Sequence, residues 1–404
     1  MQKDRGRLAL VILPEPYYND ISSAVVREIA GGTDAGLISS QRQPKDEGKQ
    51  MNWEENVRKV VPYTPGEQPS YRNVIKLNTN ECPYPPSEKV QRVLREFDVS
   101  SLRLYPDPSA SELVEALAAR YGLQKEQIFV GVGSDEVLAL SFLAFFAGEK
   151  PVLFPDITYS FYEVWAQLYG IPYRCPALDE EFRLKKEDYL TENGGIIFPN
   201  PNAPTGLAES LETVEEIVAG NPDSVVIVDE AYVDFCGNSA MELVNRYENL
   251  LVVQTFSKSR ALAGLRIGFA AGSPKLIRYL NDVKFSFNSY TMNRLTIACG
   301  RACLEDEAWF EETVVKIVST RERMKNGLRA LGFSFPDSGA NFIFARHESV
   351  PARQLFDALR EAGIFVRHFD RPRIDDYLRI SVGTDAEADR LMEFLKEYLE
   401  KRRA

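Results

Sequence analysis

At 404 residues, 44% hydrophobic and 26% charged, the sequence has room for two or three domains and a substantial core. A formal net charge of −11 disfavours nucleic acid or an anionic membrane surface as a partner, so any anionic ligand needs a local arginine cluster. Two histidines, His347 and His368, are too few for a His-based metal centre or a Ser-His-Asp triad, and no metal site is expected. The five cysteines (82, 175, 236, 299 and 303) form no CxxC pair and read as reduced thiols of a cytoplasmic protein. No apolar run reaches membrane-spanning length.

In residues 1–50, Leu8-Ala-Leu-Val-Ile-Leu13 follows basic residues but is too short for a secretion signal, and Pro14-Glu-Pro16 ends it. The expectation is a non-catalytic extension of one strand and one helix, with a polar linker over 39–50 and a more typical start at Met51. Residues 63–69 read as an extended arm, and 77–86 as a loop rich in side-chain hydrogen-bonding groups. Helices are predicted over 87–97 and 109–121, separated by the turn Leu104-Tyr-Pro-Asp-Pro108.

From Ile128 a strand–turn–helix pattern repeats. Apolar runs at 128–130, 152–154, 195–198, 225–228, 250–255 and 266–270 predict strands. Residues 137–146, with Ser134 as the cap, and 158–168 predict helices. Such alternation specifies an α/β fold with a mainly parallel sheet covered on both faces, whose ligands collect beyond the carboxyl ends of the strands. The last hundred residues read as a smaller α/β domain. It has a helix over 321–331, strands over 340–345 and 378–382, and a capping box at Thr384 and Glu387. Leu391, Phe394, Leu395, Tyr398 and Leu399 then make one apolar helix face, which is core. The expected division is extension 1–50, arm and part of the small domain 51–100, large domain 101–299, small domain 300–404.

The chemistry centres on Lys258, in Gln254-Thr-Phe-Ser-Lys-Ser-Arg260 between two apolar runs. A lysine at the end of a buried strand is costly unless its neutral amine is the reagent, as in Schiff-base chemistry. Other stretches supply what pyridoxal phosphate needs around such a lysine. Asp229, ending an apolar strand, offers an anion for the pyridine nitrogen. Tyr232 and an asparagine of Asn200-Pro-Asn-Ala-Pro-Thr-Gly206 offer donors to the ring oxygen. The helix start at Ser134–Asp135, the Ser257 hydroxyl and the Arg266 guanidinium offer a phosphate cradle. Tyr159 offers a plane to stack on the ring. Singly these patterns are common; their order and spacing together are specific.

From about Asn52 onward the chain resembles the fold-type I aminotransferases of classes I and II, and among them most the histidinol-phosphate aminotransferases. The resemblance rests on Leu77-Asn-Thr-Asn-Glu81, Leu104-Tyr-Pro-Asp107, Gly131-Val-Gly-Ser-Asp-Glu136, Pro201-Asn-Ala-Pro-Thr-Gly206, Val228-Asp-Glu-Ala-Tyr232, Ser257-Lys258 through Gly268, and Leu378-Arg-Ile-Ser-Val-Gly383. It implies a large domain binding pyridoxal 5'-phosphate, a smaller carboxyl-terminal domain, and exchange of an amino group between L-histidinol phosphate and 2-oxoglutarate in histidine biosynthesis. It further implies that Arg379 binds the α-carboxylate of amino-acid substrates. Arg367 and Tyr105 would hold the substrate phosphate, Tyr105 reaching in from the other subunit of a homodimer, with Tyr63 and Asn80 on the substrate side. The superfamily usually has asparagine immediately before Pro-Thr-Gly; here that residue is Ala203, and Asn202 is the candidate in its place. The alternatives are an aminotransferase of aromatic amino acids and a lyase such as threonine-phosphate decarboxylase. A non-enzymatic sensor domain is disfavoured by the absence of a helix-turn-helix pattern.

Overall fold

The computed structural model describes residues 53–69 and 74–403, so the extension expected at 1–50 lies outside the described residues. The chain divides into two compact units, Met1–Arg58 and Lys59–Ala404. In the first, Trp53–Asn56 form one turn of 3-10 helix. The second contains every other described element.

It begins with the extended arm, which lacks helix and strand, and with β1 (Ile75–Lys76). The large sheet follows, with β2 (Ile128–Val132), β3 (Val152–Leu153), β4 (Tyr173–Arg174), β5 (Gly195–Pro199), β6 (Val226–Asp229), β7 (Leu250–Thr255) and β8 (Ile267–Gly272). Their order is β2-β8-β7-β6-β5-β3-β4. Every pairing is parallel except those of β8, which runs antiparallel to both β2 and β7. Both faces are covered. On one side α1 (Glu88–Glu96), α2 (Ser111–Tyr121), α5 (Leu211–Ala219) and α7 (Arg294–Leu304) pack on Phe198, Val228 and Val252. On the other, α3 (Gly133–Phe145), α4 (Phe161–Tyr169) and α6 (Pro274–Phe287) pack on Ile197, Ile227 and Val253. Two-sided burial is why these strands read as continuous apolar runs instead of alternating.

The second layer system contains α8 (Glu307–Ala330), β9 (Phe333–Ser334), β10 (Phe342–His347), α9 (Ala352–Glu361), β11 (Ile364–Phe365), β12 (Arg367–His368), β13 (Leu378–Ser381) and α10 (Asp385–Arg403). Its antiparallel sheet has the order β12-β13-β10-β9, and β11 pairs in parallel with β1. Leu77 joins the core of this sheet, so the chain after the arm is built into it.

Three local expectations shift. Ser134 is not the cap of α3: the helix starts at Gly133, the cap position is Val132, which has no side-chain acceptor to offer, and Glu136 Oε2 reaches back to accept the Val132 N–H at 2.6 Å. The helix expected over 321–331 is the end of the 24-residue α8. Its first half carries Thr313, Val314, Val315, Ile317 and Val318, β-branched residues of modest helix propensity, and the buried Thr313, Ile317 and Thr320 hold it by packing. The strand expected from Arg266 starts at Ile267, because Arg266 takes a left-handed φ of 53°. The Thr384–Glu387 capping box forms as expected: Thr384 N–H donates to Glu387 Oε2 at 2.7 Å and Glu387 N–H to Thr384 Oγ1 at 3.3 Å.

Candidate active site

Asp229 is the last residue of β6, and Lys258 lies three residues beyond β7, so both stand at the carboxyl edge of adjacent parallel strands. Asp229 is 4% exposed. Tyr162 donates its hydroxyl to Oδ2 at 2.7 Å and the Ala231 N–H donates to Oδ1 at 3.3 Å. Burial pushes the Asp229 carboxyl up to about 6 against the pull of the Tyr162 hydrogen bond. No ion pair relieves it among the described residues. A buried acid with this environment lacks a cation. Sequence reasoning missed Tyr162; the available signal was its place three residues past Tyr159, in an aromatic helix start.

A second group forms where α3, β7 and β8 begin or end. Tyr159 donates to Asp135 Oδ1 at 2.8 Å, and Arg266 Nη2 donates to Asp135 Oδ2 at 2.8 Å. Arg266 Nη1 lies 3.4 Å from the Ser257 hydroxyl. Glycine is needed here: a Cβ on Gly133, at φ +78°, would lie 2.5 Å from Arg266 Nη2. Ser134 and Asp135 occupy the first turn of α3, whose N–H groups have no partner inside the helix and favour an anion. The predicted Ser134, Asp135, Tyr159, Ser257 and Arg266 are thus brought together.

Between these groups, Lys258 Nζ donates to the Thr79 carbonyl at 3.0 Å and sits 5.8 Å from the Tyr232 ring centre. The Tyr232 hydroxyl accepts from Asn80 Nδ2 at 3.0 Å, which leaves its own proton free to donate. Asn202 is buried. Its Nδ2 donates to the Ile157 carbonyl and to Thr205 Oγ1, each at 3.0 Å, while its Oδ1 is buried without a partner. Such an orphan is costly unless a ligand completes it.

The substrate-side candidates come from the small sheet and the arm. Arg367 and Arg379 face each other across β12 and β13. Arg379 Nη2 donates to the Asn78 carbonyl at 3.0 Å, and its Nε is buried with no partner. Burial lowers the Arg379 pKa, and the neighbouring Arg367 charge lowers it further. Tyr63 of the arm stacks on Phe161 with ring centres 4.2 Å apart. Tyr63, Tyr159, Ala203, Arg367 and Arg379 line one cleft of about 970 Å³. Tyr105 does not line it: it is 77% exposed and stacks on Tyr290 at 4.6 Å. A groove of about 980 Å³ between α2 and α6 contains none of the candidate residues. Among the described residues no group of His, Cys, Asp and Glu is placed to hold a metal ion, and no helix is long and apolar enough to cross a membrane.

The family model for class I and II aminotransferases matches residues 72–395. A histidinol-phosphate aminotransferase of Lactococcus lactis subsp. cremoris is 52% identical over 352 residues, covering 87% of this chain and 99% of the relative. One from Chromohalobacter salexigens is 54% identical over 344 residues, covering 85% and 98%. Among solved structures, the histidinol-phosphate aminotransferase of Sinorhizobium meliloti in complex with pyridoxal-5'-phosphate has the same fold. The TM-score is 0.76 at 24% identity, covering 82% of this chain and 92% of that one. The constellation at the strand ends and these matches over most of the chain make it a member of the class I and II aminotransferases, a family of pyridoxal-phosphate-dependent transaminases, in their histidinol-phosphate aminotransferase branch.

Proposed function

We propose that the protein transfers the amino group of L-histidinol phosphate to 2-oxoglutarate, giving imidazole-acetol phosphate and glutamate, in a cytoplasmic homodimer. The observation that carries the reading is the pair Arg367 and Arg379, cross-strand neighbours in the cleft that Tyr159 also lines. Two like charges directly opposite each other on a sheet are unfavourable unless anions are to be bound between or beside them. A phosphate monoester and a dicarboxylic acid, taken in turn, are such anions. The names of the relatives at about half identity support the same substrate.

The residues present fit pyridoxal 5'-phosphate. The buried Asp229, raised to about 6 for want of a cation, suits a protonated ring nitrogen. The first turn of α3 with Ser134 and Asp135, the Ser257 hydroxyl and Arg266 suit its phosphate. Tyr159 suits the ring face and Tyr232 the ring oxygen, whereas Asn202, whose amide hydrogens go to Ile157 and Thr205, presents only its Oδ1 acceptor and does not offer the donor expected of it. When bound, the cofactor supplies an electron-accepting ring that stores the amino group between the two half-reactions. Lys258 would hold it covalently, and its amine, once free, would move the proton at the substrate Cα. Asp229 keeps its negative charge fixed beside the ring, held by Tyr162, whose hydroxyl burial and the Asp229 charge keep protonated and donating. Arg379 orients the α-carboxylate of glutamate, and Arg367 holds the distal phosphate or carboxylate. Tyr63 closes the substrate side, Asn80 backs it from outside the cleft lining through its bond to Tyr232, and Tyr105 completes the partner subunit's site. The four-part division of the chain stated above goes with this reading.

The deciding experiment is a single-turnover half-reaction. Protein loaded with pyridoxal phosphate is mixed with L-histidinol phosphate, L-phenylalanine or L-threonine phosphate while the visible cofactor band is followed. Fast loss of the band with histidinol phosphate and slow loss with phenylalanine is expected. Equal rates would make the protein an aromatic-amino-acid aminotransferase, and carbon dioxide from threonine phosphate would make it a lyase.

A further inference from the structure

The loop after β1 touches the reacting lysine, the carboxylate arginine and the ring-oxygen tyrosine at once. The carbonyls of two consecutive residues accept from two site cations: Asn78 O from Arg379 Nη2 and Thr79 O from Lys258 Nζ, each at 3.0 Å. The next residue, Asn80, donates to the Tyr232 hydroxyl at 3.0 Å. One rigid dipeptide pitch therefore separates the group that would anchor the substrate from the amine that would move its proton.

Asn80 pins this loop. Its φ is 56°, in the left-handed region that asparagine tolerates better than most residues, and it is 1% exposed. Its groups are consumed by residues some 260 to 300 positions away. The Asn80 N–H donates to Ser381 Oγ at 2.9 Å, Ser381 Oγ donates to Asn80 Oδ1 at 2.8 Å, and Asn341 Nδ2 donates to the Asn80 carbonyl at 3.0 Å. Ser381 ends β13, the strand that carries Arg379, and Asn341 directly precedes β10; Phe342 and Ser381 are paired across the two strands. The Ser381 N–H also donates to the Leu77 carbonyl at 2.9 Å. Both side chains are buried and neither faces the cleft lining. Nothing in their immediate sequence distinguishes them from ordinary strand-end polar residues.

We infer that residues 78–80 are a fixed spacer setting the distance from Arg379 to the Lys258 amine, and that Ser381 and Asn341 are positioning residues that hold it in register. The inference rests on the roles proposed above for Lys258 and Arg379. Binding of substrate depends on the two arginines, which stay on their strands when the spacer loosens. Proton transfer depends on alignment of the amine, which does not. A misplacement of about 1 Å costs on the order of 10²-fold in rate. Loosening the spacer should therefore lower kcat and spare KM.

The test compares Ser381→Ala, Asn341→Ala and the hydroxyl-retaining Ser381→Thr in the full chain, loaded and cofactor-free. In the loaded protein Ser381→Ala should lose about 10- to 100-fold in kcat with KM moving less than about threefold, and Ser381→Thr should recover most of the loss. In the cofactor-free protein, amide exchange of the peptide spanning residues 77–82 should quicken about tenfold or more in both alanine variants, with the β10–β13 ladder unchanged. If kcat of Ser381→Ala stays within about twofold of wild type, or exchange rises equally along the ladder, the spacer is not held this way. Wild-type protein that ignores histidinol phosphate would overturn the substrate reading alone, since the exchange arm requires no substrate.

Discussion

The two ends of the candidate site handle positive charge in opposite ways. At the α3 end, Arg266 already has an acid: Asp135 lies 2.8 Å away and is held in turn by Tyr159. At the small-sheet end, Arg367 and Arg379 face each other, and the groups acting most strongly on Arg379 after burial are tyrosines and Arg367 itself. A paired cation stiffens its surroundings and polarises the N–H groups beside it. An unpaired, half-buried pair is electrostatically unfinished, and only incoming anions complete it. On the reading proposed above, the difference separates a resident-cofactor end, built to stay filled, from a substrate end, built to be filled and emptied each cycle.

Lys258 stands between the ends, and removing it is the largest break. Lys258→Ala should reduce turnover by at least about 10⁴-fold, the upper range for a lost proton-transfer group, while circular dichroism and the melting temperature remain close to wild type. Near-normal turnover would detach the chemistry from this lysine.

The substrate end can be split next. Each charge-assisted hydrogen bond lost is worth about 1.5–3 kcal/mol, or roughly 10- to 150-fold. Arg379→Ala should lower kcat/KM for glutamate and for 2-oxoglutarate by that amount. Arg367→Ala should weaken every substrate, since each presents it a phosphate or a distal carboxylate, but histidinol phosphate most, because an amino alcohol has no α-carboxylate for Arg379. If Arg367→Ala affected all substrates equally, the two arginines would form one undivided anion site.

The two ends also differ in how far they could be read beforehand. The placement of Lys258, Asp229, Tyr232, Ser257 and Arg266 was legible because each lies at or within three residues of a strand end, where a run of apolar residues fixes the local geometry. The parallel sheet was legible for the same reason. The remainder depends on contacts that no local pattern encodes. Tyr162 looks like one more aromatic in an amphipathic helix until Asp229 is placed beside it. Thr79 acts through its carbonyl, which every residue has. Ser381 and Asn341 gain their part only when strands 300 residues further on are folded against the loop. The direction of the Asn202 amide was equally out of reach, since it is decided by Ile157 and Thr205.

Removing the cofactor should expose the unrelieved acid between the ends. In cofactor-free protein the Asp229 carboxyl titrates near 6, above its unfolded value of roughly 4. The folded state then holds a proton that the unfolded state has released. The stabilisation is complete below about pH 4 and is lost as pH rises through about 6, a change on the order of 2–3 kcal/mol from this group. Asp229→Asn, which stays neutral, should remove that part of the decline in urea-denaturation stability between pH 4 and 7. A slope unchanged in the variant would mean that Asp229 is not the titrating group. Glu230, pushed up to about 7 by burial, adds a decline of the same sign that the variant leaves in place.

The smallest expected effect concerns Tyr105, which the arrangement leaves on the surface, stacked on Tyr290 and away from the cleft of its own chain. If it serves the partner's site, Tyr105→Ala should lower kcat/KM for histidinol phosphate by up to about tenfold, the worth of one hydrogen bond, with little effect on glutamate. Subunit mixing distinguishes this from a role within the same chain. A hybrid of Tyr105→Ala with Lys258→Ala contains one site that combines an intact lysine from the first subunit with an intact tyrosine from the second. With Lys258→Ala in excess, nearly every working lysine is in such a site, and activity per lysine should climb back to within about twofold of wild type. A tyrosine that acts in its own subunit would gain nothing from the mixture, because each functional lysine would still lie beside an alanine. The substrate end would then be complete within one chain, and the exposed Tyr105–Tyr290 stack would need another purpose.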